Sequence, residues 1–108
     1  MAVEFPRLSE ARQLERLVPP KGCVRAVIDT DTYNEVDDQF AVAHSLLSPE
    51  FMAVEAIYAA PFSRSGGVTP AEGMEQSYAE ILRLLALLGV AAEGLAWRGS
   101  TEFTAGRC

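Results

Sequence analysis

Five acidic side chains close a short apolar run between Val24 and Asp38, VRAVIDTDTYNEVDD. Val24, Ala26, Val27 and Ile28 make the run, and Asp29, Asp31, Glu35, Asp37 and Asp38 end it. A buried strand that feeds a carboxylate cluster is unfavourable unless something neutralises the charge. A divalent cation does so most simply. An all-oxygen donor set suits calcium or magnesium, not zinc.

The flanking sequence supplies elements that would position these acids. Lys21 and Gly22 make a turn, and a strand is expected from about Cys23 to Asp29, with Cys23 acting as a buried small hydrophobe. From about Asp37 the periodicity becomes helical: Phe40, Ala43 and Leu47 share a face, Val42 and Leu46 lie beside it, and Ser48-Pro49 closes the helix. Asp37 and Asp38 then sit at a helix N-terminus, where free amides and the dipole favour carboxylates. Capping alone would account for an isolated Asp pair, but it does not explain the acids upstream at the strand end. His44, one turn past Phe40, is expected to pack between helix and sheet.

A second strand is expected over Met52 to Ala59, with Glu55 near its centre. Strand, helix and strand at this spacing form a parallel βαβ unit, and in such sheets ligands collect beyond the carboxyl ends of the strands. The stretch after strand one, ending at Asp38, occupies that edge, as does the segment from Ala60 to Gly67. The latter is irregular through Pro61, Gly66 and Gly67 and polar through Ser63, Arg64 and Ser65, which fits a pocket-lining loop or a solvated connection. Thr69-Pro70-Ala71-Glu72 is a capping box with proline at the first helical position. The helix it opens runs to about Leu88, with Met74, Tyr78, Ile81, Leu82, Leu85 and Leu88 as core stripe and Gly89 as stop. A short third strand is expected near Gly94 to Trp97. The fold class is therefore α/β, the parallel βαβαβ start of an open sheet.

Composition bounds the function. The chain has 108 residues, 49% of them hydrophobic and 22% charged, enough for one domain or part of one. A net charge of −6 argues against nucleic acid as partner, since phosphate backbones call for basic patches. No apolar run is long enough to span a membrane. Cys23 and Cys108 have neither disulfide-framework nor zinc spacing, and a reducing cytoplasm is the default setting. Residues 1–22 read as an N-terminal extension, with Leu8, Leu14, Leu17 and Val18 forming one stripe of a short helix over about Ser9 to Val18. That stripe is expected to pack on the domain formed by residues 23–108. The polar tail from Arg98 to Cys108 shows no closing element, as expected of the front part of a longer protein.

Three motifs compete for the acidic stretch. A calcium-binding EF-hand loop counted from Asp29 would need glycine where Asn34 stands and glutamate where Phe40 stands, so it fails. Asp29-Thr30-Asp31-Thr32 resembles the DxDxT motif of haloacid-dehalogenase-type phosphatases, which would make Asp29 a nucleophile and Asp31 a general acid beside magnesium. That leaves Asp37 and Asp38 without a role. The third motif uses all four aspartates. Asp29-Thr30-Asp31, a short loop, then Asp37-Asp38-Gln39-Phe40-Ala41 resembles the N-terminal DxDPGxDDAxA signature of the inosine-uridine preferring nucleoside hydrolases. The resemblance spans roughly Val24 to Thr101. It includes a strand ending in a loop, a long helix, and a short strand followed by Arg98-Gly99-Ser100.

The resemblance implies an N-ribohydrolase that cleaves the N-glycosidic bond of a small-molecule ribonucleoside with calcium as cofactor. Asp31 and Asp38 would be calcium ligands with Asp29 supporting them, and Asp37 would be the general base. The loop between Asp31 and Asp37 is two residues longer than the family pattern and lacks its Pro-Gly. Ala60-Pro61 stands where the family commonly has Gly-Asn. Asn34, Glu35 and Arg64 are therefore the candidates for the sugar contact. The remaining calcium ligands and the leaving-group acid are expected beyond Cys108, so this stretch alone is expected to be inactive. Homo-oligomeric assembly is compatible with this reading. A non-catalytic α/β binding module, its acids serving only as caps, is the alternative from a different class.

Overall fold

A computed structural model describes residues 6–104 of the chain; Cys108 and the end of the polar tail lie outside the described residues. The elements run α1 (Glu10–Arg16), β1 (Val24–Thr30), α2 (Val36–Leu46), β2 (Met52–Ala59), α3 (Pro70–Leu88) and β3 (Ala96–Arg98). The three strands form one all-parallel sheet in the order β1-β2-β3. The fold is thus α/β, with an open parallel sheet in a βαβαβ arrangement. No helix among the described residues is long and apolar enough to cross a membrane.

Alternation decides which side of the sheet is covered. In β1 the even-numbered positions Val24, Ala26, Ile28 and Thr30 are shielded and the odd-numbered Arg25, Val27 and Asp29 are exposed. A bulge in β2 shifts the register between Ala26↔Val54 and Val27↔Ala56, leaving Glu55 as the extra residue. Glu55 uses its position to take a two-pronged ion pair from Arg25, at 2.6 and 3.0 Å, on the solvent side. Both helices pack on β2 and on each other, so they share one face. The other face exposes Val27, Tyr58 and Trp97.

The core lies between the helices and the covered face: Val42, Ile57, Ala59, Met74, Ile81, Leu84, Leu85 and Ala96. α3 supplies half of it, and its ends are fixed by local chemistry. The Thr69 hydroxyl accepts from the Glu72 amide while the Glu72 carboxylate accepts from the Thr69 amide, completing the expected capping box around Pro70. Gly89 takes φ 67° at the C-terminal cap, the left-handed conformation that costs glycine least. Gly73, in the first turn, is required for another reason. A β-carbon there would stand 2.1 Å from the Phe62 carbonyl oxygen, so only glycine lets α3 approach the loop after β2 this closely.

Four expectations about packing are corrected. α1 forms as expected, capped by Ser9, but none of its residues is buried, and Leu8, Leu14, Leu17 and Val18 face solvent. Pro19 and Pro20 end the helix and the chain turns into β1 before that stripe meets the sheet. Cys23 stands just before β1 and is exposed. His44 is exposed in the last turn of α2 instead of lying between helix and sheet. The inward face of α2 is rotated by one residue from the expected one. Val42 is fully buried with Leu46 partly covered, while Phe40 and Leu47 are 71% and 67% exposed.

Candidate functional site

That one-residue rotation sets the site. Asp38 lies one helical turn before Val42, so burying Val42 turns Asp38 inward, toward the end of β1. Asp37, 100° around the helix, is left exposed. Asp31 is the first residue after β1 and is half-buried. The parallel sheet brings the loop after β1 (residues 31–35) and the loop after β2 (residues 60–69) to the same edge.

At this edge Asp31 and Asp38 pair. A hydrogen bond that the protonated Asp38 carboxyl donates to Asp31 is the largest of several influences that hold it above the usual aspartate range. Partial burial pushes the same way, and the negative charges of Asp31 and Asp37 add to it. The neighbouring Thr30 hydroxyl opposes the shift by favouring the ionised form. Neighbouring carboxylates are eased by a shared proton or a shared cation. The acids are not serving as a side-chain cap for α2: its N-cap residue is Glu35, which is extended and makes no side-chain cap hydrogen bond.

Two further oxygens belong to the same edge. Thr30 and Thr32 are 6% and 0% exposed; the Thr30 hydroxyl acts on the Asp38 carboxyl without closing a full hydrogen bond to it, and the Thr32 hydroxyl has no hydrogen-bond partner among the described residues. Buried hydroxyls without partners are uncommon, and each needs a ligand, a water or an ion to satisfy it. The alternation Asp-Thr-Asp-Thr carried this signal in the sequence. If acids alternate with threonines at a strand end, the threonines take the covered side.

The loop after β1 is held from two directions. The Asn34 amide donates from Nδ2 to Asp31 Oδ2 at 3.0 Å, and its backbone N–H closes a turn onto the Asp31 carbonyl at 2.7 Å. The Tyr33 N–H reaches the hydroxyl of fully buried Ser77 on α3 at 3.5 Å. From the loop after β2, Arg64 donates through Nη2 to the carbonyls of Tyr33 (3.0 Å) and Asn34, and through Nε to Asn34 Oδ1 (3.4 Å). The loop is therefore not a free solvated connection. Of the three candidate sugar contacts, Asn34 and Arg64 direct these donors to the chain itself, while Glu35 is exposed. Asp29 lies on the open face of the sheet, across from Tyr58 in register, and is absent from the influences on Asp38.

Behind the site, Gln39 and Glu80 form a polar tie that the sequence did not announce. Gln39 Nε2 donates to Glu80 Oε1 at 2.6 Å, and Arg83 donates to the same carboxylate, through Nε at 2.9 Å. Glu80 is only 7% exposed, and Arg83 followed by Gln39 holds its carboxyl below the usual range despite burial. A buried glutamate on a helix is tolerated only when paired. A Glu-Arg spacing of three residues on α3 was its only trace in the sequence. At the far edge, Arg98 stacks on the Tyr78 ring at 4.1 Å and donates to Glu75 at 2.8 Å, tying the end of β3 to α3.

The donor set suits a hard cation. Asp31 and Asp38 could supply carboxylates and the Thr30 hydroxyl a neutral oxygen beside Asp38, with no nitrogen or sulfur in the group. Among the described residues no three His, Cys, Asp or Glu side chains converge as a complete metal-holding group. Two carboxylates fill only part of the six to eight oxygen positions calcium takes. Comparison with protein-family models, curated proteins and solved structures gives no match.

Proposed function

We propose that the chain carries the calcium-and-water half of a nucleoside hydrolase that cleaves the N-glycosidic bond of a small ribonucleoside, an activity suited to purine or pyrimidine salvage. The observation that carries this reading is the half-buried place of Asp38, one helical turn before buried Val42 and at the edge where Asp31 follows β1, while adjacent Asp37 stays exposed. That placement matches the division of labour that the DxD…DD signature implies. The phosphatase alternative instead needs Asp29 and Asp31 to act together, and Asp29 stands on the open face of the sheet.

Asp31 and Asp38 would hold the cation, with the Thr30 hydroxyl as a neighbouring oxygen. When bound, calcium supplies positive charge that acidifies a nearby water and draws the ribose hydroxyls. Asp37, exposed beside the pair, accepts the proton of the attacking water. The carboxylates also favour the positive charge that builds on the ribose ring as the bond to the base breaks. Glu35, exposed at the start of α2, would accept from a sugar hydroxyl. Asn34 and Arg64 act on the loop that holds Asp31. The negative net charge of −6 accords with a free nucleoside and not a nucleic acid. An exposed free thiol at Cys23 accords with a reducing, cytoplasmic setting.

The test is release of free ribose from a panel of ribonucleosides by the gene product at its native length, with calcium or with chelator. Calcium-dependent release is expected. Asp37→Asn should lower turnover by about 10²- to 10⁴-fold while leaving calcium affinity largely intact. Undiminished turnover in that variant removes Asp37 as the base.

A further inference from the structure

We propose that Arg64 is a positioning residue: it fixes the turn after β1 so that Asn34 holds the Asp31 carboxylate in its ligating orientation toward Asp38. The inference rests on the calcium reading of the pair and deepens it. It begins from what the turn lacks. The segment Thr32-Tyr33-Asn34-Glu35-Val36 contains neither proline nor glycine to set its backbone. Beyond the local bonds from Asn34 to Asp31, its shape is set by tertiary contacts, and Arg64 supplies three of them.

The contacts form a directional chain. The Arg64 guanidinium donates to Asn34 Oδ1, which leaves the other end of the same carboxamide, Nδ2, to donate to Asp31 Oδ2 at 3.0 Å. A carboxamide engaged at both ends has one orientation, and Asp31 inherits it. Meanwhile Nη2 holds the Tyr33 and Asn34 carbonyls, so backbone and side chain are fixed together. A planar fork of donors can do this; the point charge of a lysine cannot satisfy the same set.

Arg64 is itself anchored. Its guanidinium lies 5.3 Å from the ring centroid of Phe62, which is 3% exposed. Its backbone bridges to Val68, with its N–H 3.3 Å from the Val68 carbonyl. The backbone of Phe62 in turn lies against Gly73 on α3. The path from the rigid helix to the carboxylate pair is thus continuous: α3, Phe62, Arg64, Asn34, Asp31. This assigns Arg64 a role through Asn34, not a direct sugar contact.

Outer residues that orient metal ligands typically change metal affinity by about 10- to 100-fold when removed. Arg64→Ala, Asn34→Ala and the double variant would be titrated with calcium by calorimetry, and the Asn34 side-chain amide followed by ¹H–¹⁵N NMR in the unsubstituted and Arg64 variants. Arg64→Ala is expected to move the Asn34 amide signals and to weaken calcium binding by about tenfold. The double variant should bind no more weakly than the weaker single one, because both act on one path. Arg64→Lys should also move the amide signals. A merely structural arginine would lower the melting temperature and leave the Asn34 amide of the folded protein in place. Unmoved signals in Arg64→Ala, additive losses of affinity, or full rescue by Arg64→Lys would overturn the proposal. If the unsubstituted chain binds no calcium, the metal reading falls, and the amide signals alone decide whether the relay exists.

Discussion

The two crossover helices of this sheet are built to different ends. α3 has a complete capping box, a proline at its first position, a left-handed glycine at its end and a broad buried face that includes Met74, Ile81, Leu84 and Leu85. α2 has no side-chain cap at Glu35, buries only Val42, and exposes Val36, Phe40 and Leu47. Yet α2 carries both Asp37 and Asp38 in its first turn. The helix that stabilises the fold is thus separate from the helix that presents the acids. An N-terminus left without a capping side chain keeps its amides and dipole available to the charges that gather there. Local helix quality and the gathering of acids run in opposite directions here, and the Gln39–Glu80 bond ties α2 to α3.

Core truncation gives the largest expected effect and tests this contrast directly. Leu85→Ala on α3 removes a fully buried side chain and should lower stability by about 2–5 kcal/mol in chemical unfolding. Phe40→Ala on α2 deletes a larger side chain that is 71% exposed and should change stability by no more than about 0.5 kcal/mol. If Phe40→Ala proved as damaging as Leu85→Ala, α2 would be packed by its 40/43/47 face and Asp38 would not face Asp31.

A smaller effect is expected from pH, and its sign sharpens the contrast further. The Asp38 carboxyl titrates above its unfolded value, first because of the Asp31 hydrogen bond and then because of burial. Its contribution to stability is therefore fully present below the unfolded aspartate range and is lost as pH rises through the raised folded value. Glu80, lowered by Arg83 and Gln39, has the opposite sign: its contribution is present above the unfolded glutamate range and is lost as pH falls through the folded value. Asp38→Asn should remove the loss on the rising side, and Glu80→Gln the loss on the falling side. Melting curves across the acid range for both variants check the pair, and an Asp38→Asn profile identical to that of the unsubstituted chain would contradict the Asp31–Asp38 contact.

Much of the frame was legible in the sequence because it rests on local signals. β2 has the expected bounds, since Met52 to Ala59 is an apolar run rich in strand formers. α3 is legible from Thr69, Pro70, Glu72 and Gly89, each of which acts within a few residues of itself. The rotation of α2 was not legible. Its sequence offers two apolar stripes one residue apart, and the one that turns inward packs Val42 in the core and brings Gln39 to Glu80, a partner 41 positions away. His44 and Phe40 were misplaced for the same reason. Within the site, the DxD…DD spacing pointed to Asp31, Asp37 and Asp38. It did not separate Asp29, which strand alternation sends to the open face. Nor did it reveal the work of Arg64, whose contacts 30 and 31 positions away have no local signature.

As proposed above, Asp31 and Asp38 form a cation site and not a pair of incidental caps. The most direct measurement of this is the melting temperature of the chain with calcium, with magnesium and with chelator, repeated for Asp38→Asn. A ligand that binds only the folded state at ten times its dissociation constant adds about 1.4 kcal/mol of stability. In a chain of this size that is a rise of several degrees, about 4–8 °C per kcal/mol. Such a rise is expected with calcium, a smaller one with magnesium, and neither in Asp38→Asn. Equal melting temperatures in calcium and chelator would contradict the cation site and leave an α/β module whose acids bind nothing; a larger response to magnesium would favour phosphatase chemistry at the same edge.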